Sequence, residues 1–211
     1  MLFAESLELV LSVEGYDVRR IPVPEDAGSP GALLSSLVRL RPRIVLLDLD
    51  LGRFGDGARL IAPLARTGIN VVVVTSSIDR GRWGEAIRCG ARAVLSKGQP
   101  LSSILATVRR INEGLPVISY EEREDLLREW HQQRSERQAA VAKLALLTSR
   151  ESQVLGRLMQ GRTVHDIAAL SVVSEATVRT QVKSILAKLM VSSQLDAVGL
   201  AHNVDWRPPA F

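Results

Sequence analysis

The first two-thirds of the chain alternate two hydrophobic periods. Leu2, Phe3, Leu7, Val10 and Leu11 recur at helical spacing and stop at Gly15, a residue suited to follow a helix C-terminus. Tyr16–Val23 reads as a short strand closed by Pro22 and Pro24. The PEDAGSPG stretch predicts a loop, with Ser29 and Pro30 placed to open a helix through Leu33, Leu34, Leu37 and Val38. Pro42 ends that helix. Ile44–Leu49 and Asn70–Thr75 are continuous leucine or β-branched runs of strand length, as expected for strands buried on both faces. Helical patterns follow each, at Arg59–Arg66 and Arg80–Arg88, the second with Trp83 and Ile87 on one face. Ala91–Ser96 reads as a last strand. Leu101, Ile104, Leu105, Val108 and Ile111 form an amphipathic pattern that ends at Gly114.

Strands alternating with helices predict a doubly wound, mostly parallel α/β sheet over residues 1–118. Functional residues of such a sheet gather at the carboxyl ends of its strands. One feature is unusual: the pattern opens on a helix, without the strand that ordinarily precedes it. Residues 119–147 then change character, being rich in Glu, Arg, Gln and Ala with no Gly or Pro. Leu126, Leu127, Trp130, Val141 and Leu144 give them an intermittent apolar stripe, which predicts a helical linker able to self-associate. From Thr148 the pattern is all helical, at 149–160, 164–170, 175–188 and 193–202.

Composition narrows the function classes. With 46% hydrophobic and 24% charged residues, the chain has the means to bury an ordinary core. No apolar run reaches the ~18 residues of a membrane span, and Met1–Leu11 lacks the basic start of a signal peptide. The expectation is a cytoplasmic protein with no membrane partner. The single Cys89 excludes an intrachain disulfide, and three scattered histidines argue against a metal-hydrolase cluster. The net charge of +4 divides as +3 over residues 1–118, −1 over 119–147 and +2 over 148–211. Its one local concentration is Arg179, Lys183 and Lys188 against Glu175 within 174–190. That stripe suits phosphate, although a solvated helix face has the same composition.

Two constellations carry chemistry. Asp48 and Asp50, Thr75 and Ser76, and Lys97 each follow a predicted strand. Singly, each has an ordinary structural role. Together, a carboxylate, a hydroxyl and an ammonium make a phosphoryl site: the carboxylate attacks phosphorus, and the others hold the transferred oxygens. RIVLLDLDLGRFGDG, VVVVTS and GARAVLSK resemble the receiver domain of two-component response regulators over about residues 2–118. The resemblance implies a flavodoxin-like fold, Asp48 as phospho-acceptor, Thr75 and Lys97 as switch residues, and Asp56-Gly57 closing the acceptor loop. It further implies a histidine kinase as phosphodonor. Four departures argue against ordinary phosphorylation. The first strand and the acidic pair that would hold Mg²⁺ are absent, so Mg²⁺ is expected only if such a pair lies upstream. Gly52 stands where proline is usual, Val94 at the aromatic switch position, and Gly98 where proline normally follows the lysine. The first strand is interior in the receiver order. The expectation is therefore that Tyr16–Val23 pairs directly with Ile44–Leu49, or that another protomer fills the gap.

In the third segment, 148–211, Val154, Leu155, Leu158 and Met159 form one apolar face, and Ile167, Ala168 and Leu170 a second. Ser174 caps a helix whose Val178, Val182, Ile185, Leu186 and Leu189 point inward. Glu175, Thr177, Arg179, Thr180, Lys183 and Lys188 remain outward, a set suited to a major groove. The segment resembles the LuxR-type (NarL/FixJ-type) helix-turn-helix over about residues 147–203. The resemblance implies double-stranded DNA as partner, with Arg179, Thr180 and Lys183 at base- and phosphate-contacting positions. It also implies a homodimer formed through Leu195, Val198 and Gly199. Met190 stands in a turn where glycine, lysine or asparagine is frequent, and is strained there if φ is positive. The expected function is a transcription regulator without enzymatic activity. The alternative is a haloacid-dehalogenase-like phosphatase with Asp48 as nucleophile and Asp50 as acid/base, which lacks a further acidic pair in 98–118, where only Glu113 stands.

Overall fold

The computed structural model describes residues 2–23 and 30–208. The loop expected between Pro24 and Ser29 lies outside the described residues. The chain divides into two compact units, Met1–His131 and Gln132–Phe211. The boundary falls inside one helix rather than at the 118/119 and 147/148 junctions expected from composition.

The first unit contains helices α1 (Leu2–Val13), α2 (Pro30–Leu40), α3 (Ala58–Arg66), α4 (Arg80–Arg88) and α5 (Leu101–Asn112). Strands β1 (Ile44–Leu47), β2 (Asn70–Thr75) and β3 (Ala93–Ser96) form a parallel sheet in the order β1-β2-β3. The register pairs Ile44 with Asn70 and Val72 with Ala93. The apolar runs behave as two-faced strands. Val45, Leu47, Val71 and Val73 join one core with Leu33, Leu37, Leu60, Ile61 and Leu64. Ile44, Leu46, Val72 and Val74 face the other way, with Leu7, Leu11, Ile104 and Val108. Side chains alternate across a strand, so a wholly apolar run fills both layers of helices.

The strand expected at Tyr16–Val23 does not form, and its direct pairing with Ile44–Leu49 is not found. Tyr16 and Val18 pack on one core and Ile21 on the other. The segment is thus held by side-chain burial, without ladder hydrogen bonds.

Helix α6 (Tyr120–Leu144) contributes to both units. Its apolar stripe is largely consumed by the chain itself. Leu126 and Leu127 enter the first unit's core, and Leu144 enters that of the second. Arg88 lies 4.5 Å over the Trp130 ring, and Arg80 binds Glu129 at 2.7 Å. Gly84 makes the docking possible, because a Cβ there would overlap the Leu126 carbonyl oxygen. Val141 is the stripe residue left exposed, so the stripe does not supply the self-association surface that its spacing suggests.

The second unit holds α7 (Ser149–Met159), α8 (Val164–Ser171), α9 (Glu175–Leu189) and α10 (Gln194–Asn203) around a core that includes Leu155, Ile167, Val178, Ile185 and Leu189. Thr148, Thr163, Ser174 and Ser193 each cap the helix that follows, accepting an N–H bond in the first turn. Two helices end on side chains that are costly in the left-handed region: Val172 at φ 54 after α8 and Met190 at φ 58 after α9. Each conformation costs roughly 1–2 kcal/mol relative to glycine. No single helix among the described residues is long and apolar enough to cross a membrane.

Candidate functional site

The parallel sheet places Asp48 just beyond β1 and Lys97 just beyond β3, with Thr75 ending β2 between them. The Lys97 ammonium is bound to Asp48 Oδ2, and both side chains are about three-quarters buried. Asp48 Oδ1 accepts from the Asp50 amide at 3.1 Å, so both carboxylate oxygens are engaged. Thr75, 2% exposed, turns its hydroxyl to accept from the Ser77 amide at 3.1 Å, while its carbonyl accepts from the Lys97 amide at 2.8 Å. The three expected residues therefore gather at one sheet edge. The bond from Ser77 uses the Thr75 hydroxyl as an acceptor and leaves its O–H free to donate.

The other acidic side chains have separate tasks. Asp50 accepts from the Gly52 amide, and Asp56 accepts from the Ala58 amide and pairs with Arg82 at 3.3 Å. Gly57 lets this loop close, because a Cβ there would overlap the Asp48 carbonyl oxygen. Among the described residues no three His, Cys, Asp or Glu side chains come together as metal ligands. Among the described residues Asp48 has the Lys97 ammonium beside it and no metal-ligating cluster, and this donor set does not fit Mg²⁺. The Asp50 carboxylate is engaged by the Gly52 amide and its own amide donates to Asp48, and nothing in this geometry supports the phosphatase alternative.

In the second unit, α9 presents Thr177, Arg179, Thr180 and Lys183 to solvent while Val178, Val182 and Ile185 are buried. Arg179 pairs with Glu175 at 2.9 Å, and Glu175 also meets His165 at 2.9 Å. The hydrogen bonds from His165 and Arg179 hold the Glu175 carboxyl below its usual range, and the bond to Glu175 raises His165. These exposed contacts are weak and exchange readily for other partners. Lys183 has no ion-pair partner among the described residues. Thr177 shares a hydrogen bond with Ser174, and Thr180 donates to the Ala176 carbonyl.

Lys188, grouped with these residues by its spacing, has a different partner. Its ammonium lies 2.6 Å from Glu151 Oε2, deep in the unit. Glu151 is 6% exposed and also accepts from the Ser184 hydroxyl at 2.7 Å and from the Thr148 amide at 2.7 Å. Burial raises its pKa, but bonds from Lys188, Ser184 and Thr148 outweigh that and bring it to about 2. One carboxylate thus caps α7 and ties α7 to α9. This hub was absent from the sequence reading, although Thr148 followed three residues later by Glu151 is a capping-box signal.

On α10, Leu195 is 80% exposed, Val198 is half-buried, and a Cβ on Gly199 would meet open space. Residues 145–201 match the family described as bacterial regulatory proteins, luxR family. The match is confined to those residues. Along its length the chain is also similar to Transcriptional regulatory protein DesR of Bacillus subtilis, at 25% identity over 85% of this chain and 83% of that one. Response regulator protein VraR of Staphylococcus epidermidis is 28% identical over 97% of each chain. The solved RcsB response regulator of Salmonella typhimurium shares the fold, with a TM-score of 0.50 at 20% identity, covering 95% of this chain and 94% of that one. The luxR-family match spans α7 through most of α10 and contains every exposed residue of α9 described above.

The Glu151 hub generates a pH prediction. A pKa lowered from 4.5 to about 2 contributes stability that is fully present above 4.5 and lost as pH falls through about 2. By chemical denaturation near neutral pH, Glu151→Gln is expected to be roughly 1–3 kcal/mol less stable than the native chain. The difference shrinks steadily below pH 4.5. A gap that stays constant down to about pH 2 contradicts the assignment.

Proposed function

We propose that this chain is a DNA-binding transcription regulator of the response-regulator type, working in the cytoplasm as a homodimer. The observation that carries this reading is the exposed face of α9 within the luxR-family domain. Short Thr177 and Thr180 permit close approach to a groove, and Arg179 and Lys183 supply cations for guanine edges or phosphates. A single helix of this kind covers one half-site, so tight binding uses two copies a helical turn of DNA apart. The bare end of α10, with exposed Leu195 beside Gly199, suits a close two-fold contact. Named relatives with regulatory functions support the same reading.

The sheet-edge site is a receiver site held in a neutralised form. A phosphoryl group arriving at Asp48 meets Lys97 already paired to it and, among the described residues, no cluster of acidic side chains to bring Mg²⁺. Regulation through a histidine kinase is accordingly not part of the proposal, nor is enzymatic turnover.

Two outcomes are expected. Arg179→Ala and Lys183→Ala, measured on a duplex selected by the chain, each cost roughly 1–3 kcal/mol if the contact is to a base edge. A phosphate contact weakens all sequences alike. Full retention of affinity in the double variant would place α9 outside the groove. For Asp48, treatment with a small phosphodonor and Mg²⁺ followed by intact-mass measurement is expected to leave the chain unmodified. Robust, Mg²⁺-dependent addition of one phosphoryl group, lost in Asp48→Asn, contradicts the neutralised site.

A further inference from the structure

The turn between α8 and α9 contains a side chain that folding does not explain. Val172 ends α8 in the left-handed region at φ 54, and its side chain is 91% exposed. A glycine satisfies the backbone there at lower cost, since the hydrogen bonds that close the helix come from main-chain amides: Val172 to the Ala169 carbonyl and Val173 to the Ala168 carbonyl. A β-branched residue is among the least suited to positive φ. Exposure removes the usual compensation, because its methyl groups are buried against nothing in the free protein. Strain together with exposure points to a contact made outside the chain.

The position of the turn identifies that contact. Val172 stands two residues before Ser174, the N-cap of α9, and the N-terminal residues of a recognition helix are those that approach base edges. Next to it, α9 begins with the exposed and small Ala176, Thr177 and Thr180, so the turn can come close to the duplex. Most groups on the base edges of a major groove are hydrogen-bond donors and acceptors. The apolar one is the C5-methyl group of thymine. We propose that Val172 packs against a thymine methyl at the edge of each half-site and selects a T·A pair there. The inference rests on the DNA-binding reading above. It adds one specificity determinant that carries no charge and makes no hydrogen bond.

The test uses the full chain and a duplex selected from a random pool, prepared also with deoxyuridine in place of every thymidine. Uracil pairs as thymine does and lacks only the methyl group. The native chain is expected to bind the uracil duplex at least about fourfold more weakly, the effect of losing one buried methyl contact. Val172→Ala and Val172→Gly are expected to bind both duplexes with nearly equal affinity. Val172→Gly should also melt at a higher temperature, because the strain is relieved. Equal binding of both duplexes by the native chain overturns the proposal, and so does a thymine preference that Val172→Ala retains in full. Those two results leave the DNA-binding reading intact. Failure of the native chain to select any duplex overturns both.

Discussion

The helix-turn-helix unit depends on one buried carboxylate. Glu151 caps the first turn of α7 and receives Ser184 and Lys188 from α9, two residues four apart and so on one side of that helix. A carboxylate removed from water has a large desolvation cost unless several donors meet it. Here they do, and they come from two helices. The geometry that satisfies Glu151 therefore also sets the rotation of α9 about its own axis. Ser184, Lys188, Val178, Val182 and Ile185 turn inward, and Thr177, Arg179, Thr180 and Lys183 turn outward as a consequence. Lys188 is spent on the architecture, and the outward cations lie in the first two-thirds of the helix.

A comparable economy governs the sheet unit. β1, β2 and β3 are apolar on both faces and need helices on each side. The polar groups are displaced to the carboxyl edge, where Asp48, Thr75 and Lys97 meet. In that edge the strongest interaction is internal: the ammonium of Lys97 and the amide of Asp50 satisfy Asp48 between them. Such an arrangement ties together the loops that follow β1 and β3. One unit thus holds an exposed face of α9, bearing Arg179 and Lys183, on a buried network, and the other has a carboxyl edge where Asp48 and Lys97 are paired.

Much of this was legible in the residues, for identifiable reasons. β2 and α4 were found at their observed limits, because the valine run and the Asp79 cap leave little freedom at their ends. The convergence of Asp48, Thr75 and Lys97 followed from the rule that parallel sheets present strand ends on one edge. The condition set for strain at Met190, a positive φ in its turn, is met. Tyr16–Val23 misled because alternation of apolar residues states only that a segment is half-buried. It does not state that a neighbouring strand stands within hydrogen-bonding distance. The α6 stripe misled for a related reason. Leu126, Trp130 and Leu144 form a pattern that fits a partner helix as well as this chain's own cores, and Gly84, which admits α6 so closely, carries no sign of that in its local sequence. Lys188 was assigned by face alone, without the buried acceptor on α7 that captures it.

The central claim is that the luxR-family unit binds duplex DNA through cations that replace phosphate counterions. Its most direct measurement is the affinity of the full chain for a selected duplex as a function of salt concentration. The account predicts that the logarithm of the binding constant falls linearly with the logarithm of salt, with a steeper slope for the native chain than for the Arg179→Ala, Lys183→Ala double variant. An affinity indifferent to salt, or a slope unchanged in the double variant, would contradict it.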